Sequence, residues 1–441
     1  MAKRSWIGNA KNIKGTWTIT IAGTWLQGDT ITLTIGDVSV VVVVGTSVTP
    51  TNVATLLKEG VNNGTLSDTT ASCTPAAGGV GTFGEFYGLV ATSAAGVVTI
   101  TGTAGELYEL SVAKSSTSGT VSPSGAITPS PAPTGKYFWD NTENWKEDTV
   151  PVNGDDIVFD RGNVPCKYNI DTAIQPASVR VTKDYSGFIG LKPVNKDVQD
   201  KHFREYRQAK MKFTANAGTT YMWIGEGSGQ GSSMLRFDMN DVPYEAVVYG
   251  SNAGLDGMPA VMFCDDASQT ANKLDIFGGH VGLSYFDDET GRMSVIRVAN
   301  TQNNPKLEIG REATLTLCVI SVGGGICDIF TDTVTNVEIY QTGGVVRTEA
   351  GTYKNIYTMG GTHIAGQITV GSNFEVGPGG VFDCESDLRA KTITPVAQMH
   401  ANSQFKDRNK VVTFTAGFKP VGCGLGAIKF DVGANRTFTV T

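Results

Sequence analysis

Hydrophobic and polar residues alternate along the first hundred positions in the way that half-buried β-strands require. The runs GTWTITIAGTW (15–25) and GDTITLTIGDVSVVVVVG (28–45) place Thr, Ser or Asp between Ile, Leu, Val and Trp. Gly28-Asp29 and Gly36-Asp37 are typical turn signals. Further strand patterns lie at 83–92, 96–102 and 107–113. The pattern predicts a small β-rich module over residues 15–113.

One segment of this module has the periodicity of a helix instead. In VTPTNVATLLKEGVNNG (48–64), the apolar side chains that share one helical face are Val53, Leu56, Leu57 and Val61. Thr51 is of a residue type that caps helix N-termini, and we predict that it caps this one. The module is therefore expected to contain one helix.

Two segments on either side of the module lack this alternation. Residues 1–14 are predicted to form an N-terminal arm. Residues 114–136, KSSTSGTVSPSGAITPSPAPTGK, consist of Ser, Thr, Pro and Gly with almost no large apolar residue. Such a composition is typical of a semi-extended linker.

The remainder of the chain is a series of short strands interrupted by regularly spaced glycines. A charged insert at 194–213 is predicted to be a loop or a short helix. Gly324, Gly343, Gly361 and Gly379 follow one another at intervals of 19, 18 and 18 residues.

A period near 20 with several short strands per repeat is typical of a β-solenoid. Glycine is favoured where such a chain turns a corner with positive φ or where coils approach closely. We therefore predict an all-β fold with a parallel β-helix over 137–400. Residues 401–441 are expected to form a C-terminal β cap or intersubunit strands. A β-sandwich with Gly-rich hairpins is the alternative.

Composition and charge reduce the number of function classes that fit this chain. Charged residues make up 17% of the chain, against a usual fraction of about 25%. A net charge of −7 provides no basic footprint, so no nucleic-acid partner is predicted. No apolar run reaches 18 residues, so no membrane-spanning segment is predicted. The stretch MAKRSWIGNAKNIKG lacks the apolar region of a signal peptide, and we expect synthesis in the cytoplasm.

Carboxylates are the main candidates for chemistry. Three small clusters occur, and they are Asp265-Asp266, Asp287-Asp288-Glu289 and Asp383, Glu385, Asp387. Glycan hydrolysis requires two carboxylates within about 5–10 Å. The members of the third cluster alternate, so in a strand they would share one face. Turns and solvated faces also collect Asp, and this is the interpretation we favour. Calcium binding by the second cluster is a further alternative, although the EF-hand pattern is missing.

Other reactive residue types indicate structural roles. The four histidines, which are His202, His280, His363 and His400, form no metal-ligand pattern. The seven cysteines are scattered without a CxxC, and we predict buried, reduced thiols. Tyr221, Trp223, Tyr285 and Phe286 would suit sugar stacking, but a core or a trimer interface is the role we favour for them. We predict no catalytic, cofactor-binding or metal-binding residue.

A small Thr/Val-rich β-module, a Pro/Ser linker and a glycine-punctuated solenoid resemble tailed-bacteriophage virion proteins of the fibre, spike or head-decoration type. The segments WDNTENW (139–145) and VPVNGDDIVFD (150–160), followed by FIGL and REYR, are similar to β-helical proteins of phages and prophages. That resemblance implies a homotrimer without a cofactor. It also implies an N-terminal region bound to other virion proteins and an outward distal part.

Three functions follow as hypotheses. The first is a structural virion surface protein that gives a rigid trimeric projection for particle stability or host adhesion, with a host surface glycan as a further partner. The second is a tailspike enzyme that cleaves a surface polysaccharide, for which a carboxylate pair beside aromatic residues in a groove would be the signature. The third is a bacterial β-helical adhesin, which would need an export signal.

Overall fold

The computed structural model describes residues 2–36, 38–62, 66–74, 86–190, 210–226, 234–250, 257–266, 271–286 and 289–433. Regular structure in these ranges is nearly all β, with a single α-helix. An N-terminal β module is joined to a parallel β-solenoid of about 11 turns over residues 156–432. The predicted β-solenoid is confirmed. The alternative sandwich is wrong, because neighbouring strands of this body pair in parallel rather than as hairpins.

The solenoid has three faces, each a ladder of parallel strands from successive coils. Strands of the first sheet are Lys3–Trp6, Asp156–Phe159, Ser178–Thr182, Thr220–Glu226, Tyr244–Val248, Lys273–Ile276, Val295–Val298, Val319–Val322, Ala397–His400 and Phe418–Val421. Strands of the second sheet are Met211–Lys212, Leu235–Asp238, Val261–Cys264, His280–Leu283, Lys306–Ile309, Ile326–Ile329, Gly380–Asp383, Gln404–Asp407 and Lys429–Val432.

Among the described residues, the third sheet begins later in the chain than the other two. Its own strands are Gly291–Arg292, Ala313–Thr316, Lys391–Ile393 and Val412–Phe414. Three long strands bend around corners and join more than one sheet, and they are Val334–Gln341, Val345–Thr358 and Gly361–Val376. The cross-section is therefore triangular in the C-terminal half.

Glycine pairs form the corner between the first and second sheets, as predicted. Gly344 and Gly361 have φ of +67° and +76°, a backbone conformation that residues other than glycine rarely adopt. A Cβ at Gly344 would lie 2.5 Å from the carbonyl oxygen of Gly325, one coil below. The corners therefore need glycine both for backbone conformation and for close stacking.

The three faces enclose one continuous apolar core. In the second sheet the inward row runs Leu307, Cys327, Val346, His363 and Phe382, each the register partner of the next. All five side chains are buried. Each coil thus buries apolar surface against the coils above and below it, which is how a solenoid gains stability.

The predicted N-terminal arm over residues 1–14 is wrong. Lys3–Trp6 is the first strand of the solenoid and pairs in parallel with Asp156–Phe159. The Trp6 ring is buried, lies 5.2 Å from the Trp145 ring, and donates from Nε1 to the carbonyl of Val164 at 2.9 Å. A four-residue strand is too short to show a hydrophobic period, and the sequence does not reveal a partner strand that is so distant along the chain.

The N-terminal module consists of two antiparallel sheets and the predicted helix. One sheet contains Gly125–Ala126, Ser111–Lys114, Thr30–Ile35, Val38–Val43 and Ser72–Thr74, and the other contains Val90–Ala94, Val97–Thr101, Thr16–Gly23 and Gly119–Ser122. The helix spans Pro50–Asn62 and buries the predicted apolar face. Its cap is Thr49 rather than Thr51, since the Thr49 hydroxyl accepts from the backbone N–H of Asn52 at 3.3 Å.

The predicted linker over residues 114–136 is mostly part of this module. Gly119–Ser122 pairs with Thr20–Gly23, and Gly125–Ala126 pairs with Ser111–Val112. Only Val121 and Ile127 in this stretch bury apolar side chains in the module core. Edge strands of Ser, Thr and Gly have the same composition as a linker, so composition alone misled this prediction.

The module is inserted between the first and second strands of the solenoid, and two chain segments connect it. These segments touch, since Ile13 forms an antiparallel bridge with Thr134 and donates to its carbonyl at 2.8 Å. The Asn12 side chain also accepts from the backbone N–H of Lys136 at 3.1 Å. Paired connections of this kind hold the module more firmly than the single linker that we predicted.

The C-terminal segment 401–441 does not form a separate cap within its described part. Gln404–Asp407 and Lys429–Val432 continue the second sheet, and Phe418–Val421 continues the first. The solenoid therefore extends beyond the predicted boundary at residue 400. The charged insert predicted at 194–213 lies mainly outside the described residues.

Candidate functional site

The outer face of the first sheet carries regular rows of outward-pointing side chains, most of them exposed or half-buried. Inward residues such as Ile157, Val179 and Met222 are buried, so their neighbours along each strand point outward. Parallel register aligns these outward side chains from coil to coil. One row runs Val158, Arg180, Trp223, Val247, Asp275, Arg297, Ser321, Tyr340 and Tyr357.

A groove of about 650 Å³ lies on this face near the N-terminal end of the solenoid. We call it the first groove. The side chains that give it chemical character are Lys3, Asp156, Asp160, Arg180, Tyr221 and Trp223. Its volume falls within the range of about 300–1,000 Å³ that small-molecule sites occupy.

Two aromatic rings stand side by side in the first groove. Tyr221 and Trp223 occupy alternate positions of one strand, with ring centroids 6.2 Å apart and planes 19° apart. Tyr221 is 46% exposed. The Arg180 guanidinium carbon lies 5.5 Å from the Trp223 ring centroid, a cation–π distance.

Two carboxylates in the first groove are oriented by hydroxyl groups from the next strand. The Ser178 hydroxyl donates to Oδ1 of Asp156 at 2.6 Å. The Thr182 hydroxyl donates to Oδ1 of Asp160 at 3.0 Å. Each carboxylate is thus fixed through one oxygen, and it retains acceptor capacity for a ligand at the other.

A second groove of about 400 Å³ lies farther along the same face and includes Phe277, Arg297 and Tyr340. Phe277 and Tyr340 are 39% and 40% exposed. Phe277 stacks on Tyr249 at 5.8 Å, and Tyr340 stacks on Tyr357 at 4.9 Å. The second groove therefore repeats the aromatic character of the first.

Charged side chains between and beside the grooves are paired across neighbouring strands. Lys273 contacts Glu245 at 2.7 Å, and Arg297 contacts Asp275 at 3.3 Å. Hydrogen bonding from Lys354 lowers the pKa of Glu338 to about 2. The hydrogen bond from the Tyr340 hydroxyl to Glu338 raises the pKa of that tyrosine to about 12. The outer face is thus polar, and its charges largely neutralise one another in local pairs.

The first predicted carboxylate cluster divides between core and surface. Asp265 is 3% exposed and lies at a corner of the solenoid, whereas Asp266 is exposed. Oδ1 of Asp265 accepts from the backbone N–H of Arg292 at 2.7 Å, and Oδ2 is 2.9 Å from the Asn272 amide nitrogen. Burial raises the pKa of Asp265 to about 7, against the effect of these hydrogen bonds. This enclosed carboxyl group braces a corner.

The second cluster is described only at Glu289, because Asp287 and Asp288 lie outside the described residues. The Glu289 carboxylate is buried and contacts Arg236 at 3.2 Å and Lys210 at 3.3 Å. Phe286 packs against the Arg236 guanidinium at 4.9 Å. Phe286 and Tyr285 therefore belong to a packed corner and not to the groove that contains Tyr221 and Trp223.

The third cluster does not share a strand face, so that part of the prediction is wrong. The strand ends at Asp383, and Glu385 and Asp387 lie in the following turn. Asp383 contacts Lys406 at 3.1 Å, and Glu385 contacts Arg408 at 3.3 Å. Asp387 forms an ion pair with Arg389. These contacts match the favoured interpretation of turn and surface carboxylates.

Histidines and cysteines in the described part of the chain have structural environments. His280 and His400 contact Glu308 and Glu375, while His363 is buried. His202 lies outside the described residues. All seven cysteines are free thiols, and every one except the half-buried Cys423 is buried. Within the described ranges, no group of three or more His, Cys, Asp or Glu side chains is arranged to hold a metal ion.

Sequence reasoning identified Tyr221 and Trp223 but missed Asp156, Asp160 and Arg180. A signal was present for Arg180, which lies at an outward position of a strand with alternating burial. It was weaker for Asp156, which begins a strand whose other residues are all buried, and for Asp160, which follows the end of that strand. Their proximity depends on the register between coils, and coil length in this region is irregular. Alignment of the strands in three dimensions was needed to bring them together.

Comparisons with protein-family models, with curated proteins and with solved structures found no match. No helix among the described residues has the length and apolar character needed to cross a membrane. The solenoid and its outer face are therefore the features that bear on function.

Proposed function

We propose that this chain is a structural surface protein of a tailed-bacteriophage virion, in which the solenoid forms a rigid projection. The observation that carries this proposal is the parallel stacking of the described strands from Lys3–Trp6 to Lys429–Val432 around one core. At about 4.8 Å per coil, 11 turns give a stiff body about 50 Å long. A body of this kind supports particle stability or host adhesion without any catalytic step.

The inserted N-terminal module is the part that we propose binds other virion proteins. It has a hydrophobic core separate from that of the solenoid. It lies at the same end as the first strand, and paired connections at Ile13 and Thr134 hold it there. Attachment through this module would leave the other end of the solenoid directed outward. A homotrimer is the assembly that the resemblance to virion proteins implies.

Sedimentation with target particles tests this proposal. The purified chain is mixed with phage particles stripped of their surface projections, and separately with bacteria. We expect the chain to sediment with one or both, and excess unlabelled chain should compete. A chain that remains in the supernatant with every phage and host tested would contradict the proposal.

Cleavage of a polysaccharide is the second candidate, because Asp156 and Asp160 line a groove that also contains aromatic rings. The spacing of these two carboxylates argues against polysaccharide cleavage. Four residues along a strand place their Cα atoms about 13 Å apart, whereas glycan hydrolysis uses carboxylates about 5–10 Å apart. Release of reducing ends from a polysaccharide, abolished by Asp156→Asn, would establish cleavage instead.

A further inference from the structure

The outer face of the first sheet contains a continuous line of side chains that joins the two grooves. Trp223, Val247, Asp275, Arg297, Ser321 and Tyr340 are successive register partners on neighbouring coils. We call this line the track. With about 4.8 Å between coils, its five steps span about 24 Å. Aromatic side chains lie at both of its ends.

We propose that the track binds a linear polysaccharide that lies along the solenoid axis, with one subsite at Trp223 and another at Tyr340. This inference rests on the adhesive part of the proposed function. It goes further by assigning the binding face, the class of ligand and the direction in which the ligand lies.

The chemistry of the first groove fits a ligand that has both apolar faces and many hydroxyl groups. Tyr221 and Trp223 supply rigid aromatic surface, and Tyr221 is exposed at 46%. Asp156 and Asp160, two strands away in the same groove, supply oriented acceptors. Arg180 supplies donors next to the Trp223 ring. A saccharide presents C–H faces to aromatic rings and hydroxyl groups to such polar partners.

The charge pattern disfavours a polyanion. In the first groove, the cations Lys3 and Arg180 are balanced by two carboxylates, Asp156 and Asp160. In the second groove, Arg297 is paired with Asp275. A nucleic acid or another polyanion needs an excess of positive charge, which these residues do not provide. The expected ligand is therefore a neutral or weakly charged polysaccharide.

The same charges disfavour a second copy of the chain as the occupant. Centres of protein–protein interfaces are depleted of Lys, Glu and Asp. Here the pairs Glu245–Lys273 and Asp275–Arg297 lie in the middle of the face, between the two aromatic ends. A partner protein would have to desolvate them, whereas a hydrated saccharide would not. Self-association through this face is an outcome that the test distinguishes.

Trp223 provides a direct optical probe of the track. The chain has six tryptophans, and the other five are at most 3% exposed. Acrylamide quenching of fluorescence should therefore report mainly on Trp223, which is half-buried. The ligands are a panel of purified bacterial surface polysaccharides, both neutral and acidic, together with dextran. We expect at least one neutral polysaccharide to protect Trp223 from acrylamide.

Substitutions distinguish binding at the track and its two grooves from binding at other surfaces. We expect Tyr221→Ala to weaken binding of the protecting polysaccharide at least 10-fold. Tyr340→Ala should weaken binding of long fragments but leave short fragments unchanged, since only a long fragment reaches both grooves. Phe330→Ala is the matched control, because Phe330 is an aromatic side chain, 41% exposed, outside the track. Circular dichroism and light scattering confirm that each variant keeps its fold and its mass.

Three results would overturn the inference. One is the absence of protection by every polysaccharide in the panel, and another is equal loss of binding in Phe330→Ala and Tyr221→Ala. The third is a change in oligomeric mass caused by Tyr221→Ala or Tyr340→Ala, which would make this face an interface between copies. A chain that sediments with virions but binds no polysaccharide would overturn this inference alone. A chain that binds polysaccharide but attaches to no particle would overturn only the virion proposal.

Discussion

Trp6 and Phe159 are register partners on adjacent parallel strands, although the whole N-terminal module lies between them in the chain. Their ring centroids are 6.1 Å apart, and Trp145 packs against both. The polypeptide therefore begins the solenoid, leaves it to form the module, and returns to the same sheet. This arrangement makes the first strand a structural element and covers the end of the core with aromatic rings.

Replacement of Trp6 tests this arrangement. We expect Trp6→Ala to lower the free energy of unfolding of the solenoid by about 3–5 kcal/mol, because it removes a buried aromatic side chain from a packed cluster. Urea unfolding followed by circular dichroism measures the change. Ile7→Ala is the control, since Ile7 is 45% exposed, and its effect should stay within about 0.5 kcal/mol. Equal effects of the two substitutions would mean that the first strand is not docked.

The glycine corners make a second prediction. Gly344→Ala should lower the free energy of unfolding by at least about 2 kcal/mol, because a side chain at φ of +67° is strained and its Cβ would meet the Gly325 carbonyl. Thermal unfolding measures this change. In the matched control Gly371→Ala, the nearest atom to the new Cβ is 3.7 Å away, so stability should hardly change. A tolerated Gly344→Ala would contradict the assignment of this corner.

The buried carboxyl group of Asp265 predicts a pH dependence of stability. Its pKa is raised from 3.8 to about 7 by burial, so the folded chain binds this proton more tightly than the unfolded chain does. The stabilisation is complete below about pH 4 and is lost as the pH rises toward 7. The slope contributed by this group is at most about 1.4 kcal/mol per pH unit.

Asp265→Asn should remove that slope, because the amide does not titrate. The measurement is the free energy of unfolding at several pH values between 4 and 7, taken as the difference between wild type and variant so that other titrating groups cancel. Asp266→Asn, at the exposed neighbouring position, should keep the slope of the wild type. Parallel curves for wild type and Asp265→Asn would show that Asp265 does not carry the raised pKa.

Thiol reactivity provides a fourth prediction. Burial raises the pKa of the Cys318 thiol to about 12 and also raises the pKa values of Cys264 and Cys327. Only Cys423 is more than slightly exposed. We expect an aromatic disulfide reagent to label one thiol per folded chain at neutral pH and all seven after unfolding. Cys423→Ser should reduce the folded value to zero, and rapid labelling of more than one thiol would contradict this packing.

How much of this structure was predictable from the sequence depends on the range of each interaction. Local periodicity was sufficient for the helix at Pro50–Asn62 and for the glycine corners near Gly344 and Gly361. It failed for Lys3–Trp6 and for Gly119–Ser122, because these short strands depend on partners that are distant in sequence or lack large apolar residues.

The candidate site shows the same difference between local interactions, which the sequence reveals, and long-range interactions, which it does not. Tyr221 and Trp223 are two positions apart, so the sequence indicates that they share a face of the strand. Arg180 and Asp156 join them only through the register of separate coils. That register depends on how the intervening loops close, and a single sequence does not reveal it. The proposed function class was inferred from a resemblance to virion proteins.

The mass and shape of the purified chain in solution test the central claim, a rigid solenoid assembled as a virion projection. Light scattering should give about three times the chain mass of 46.6 kDa, and electron micrographs should show an elongated particle. A compact monomer of 46.6 kDa would contradict the trimeric projection and would favour a search for polysaccharide cleavage in the groove of Asp156 and Trp223.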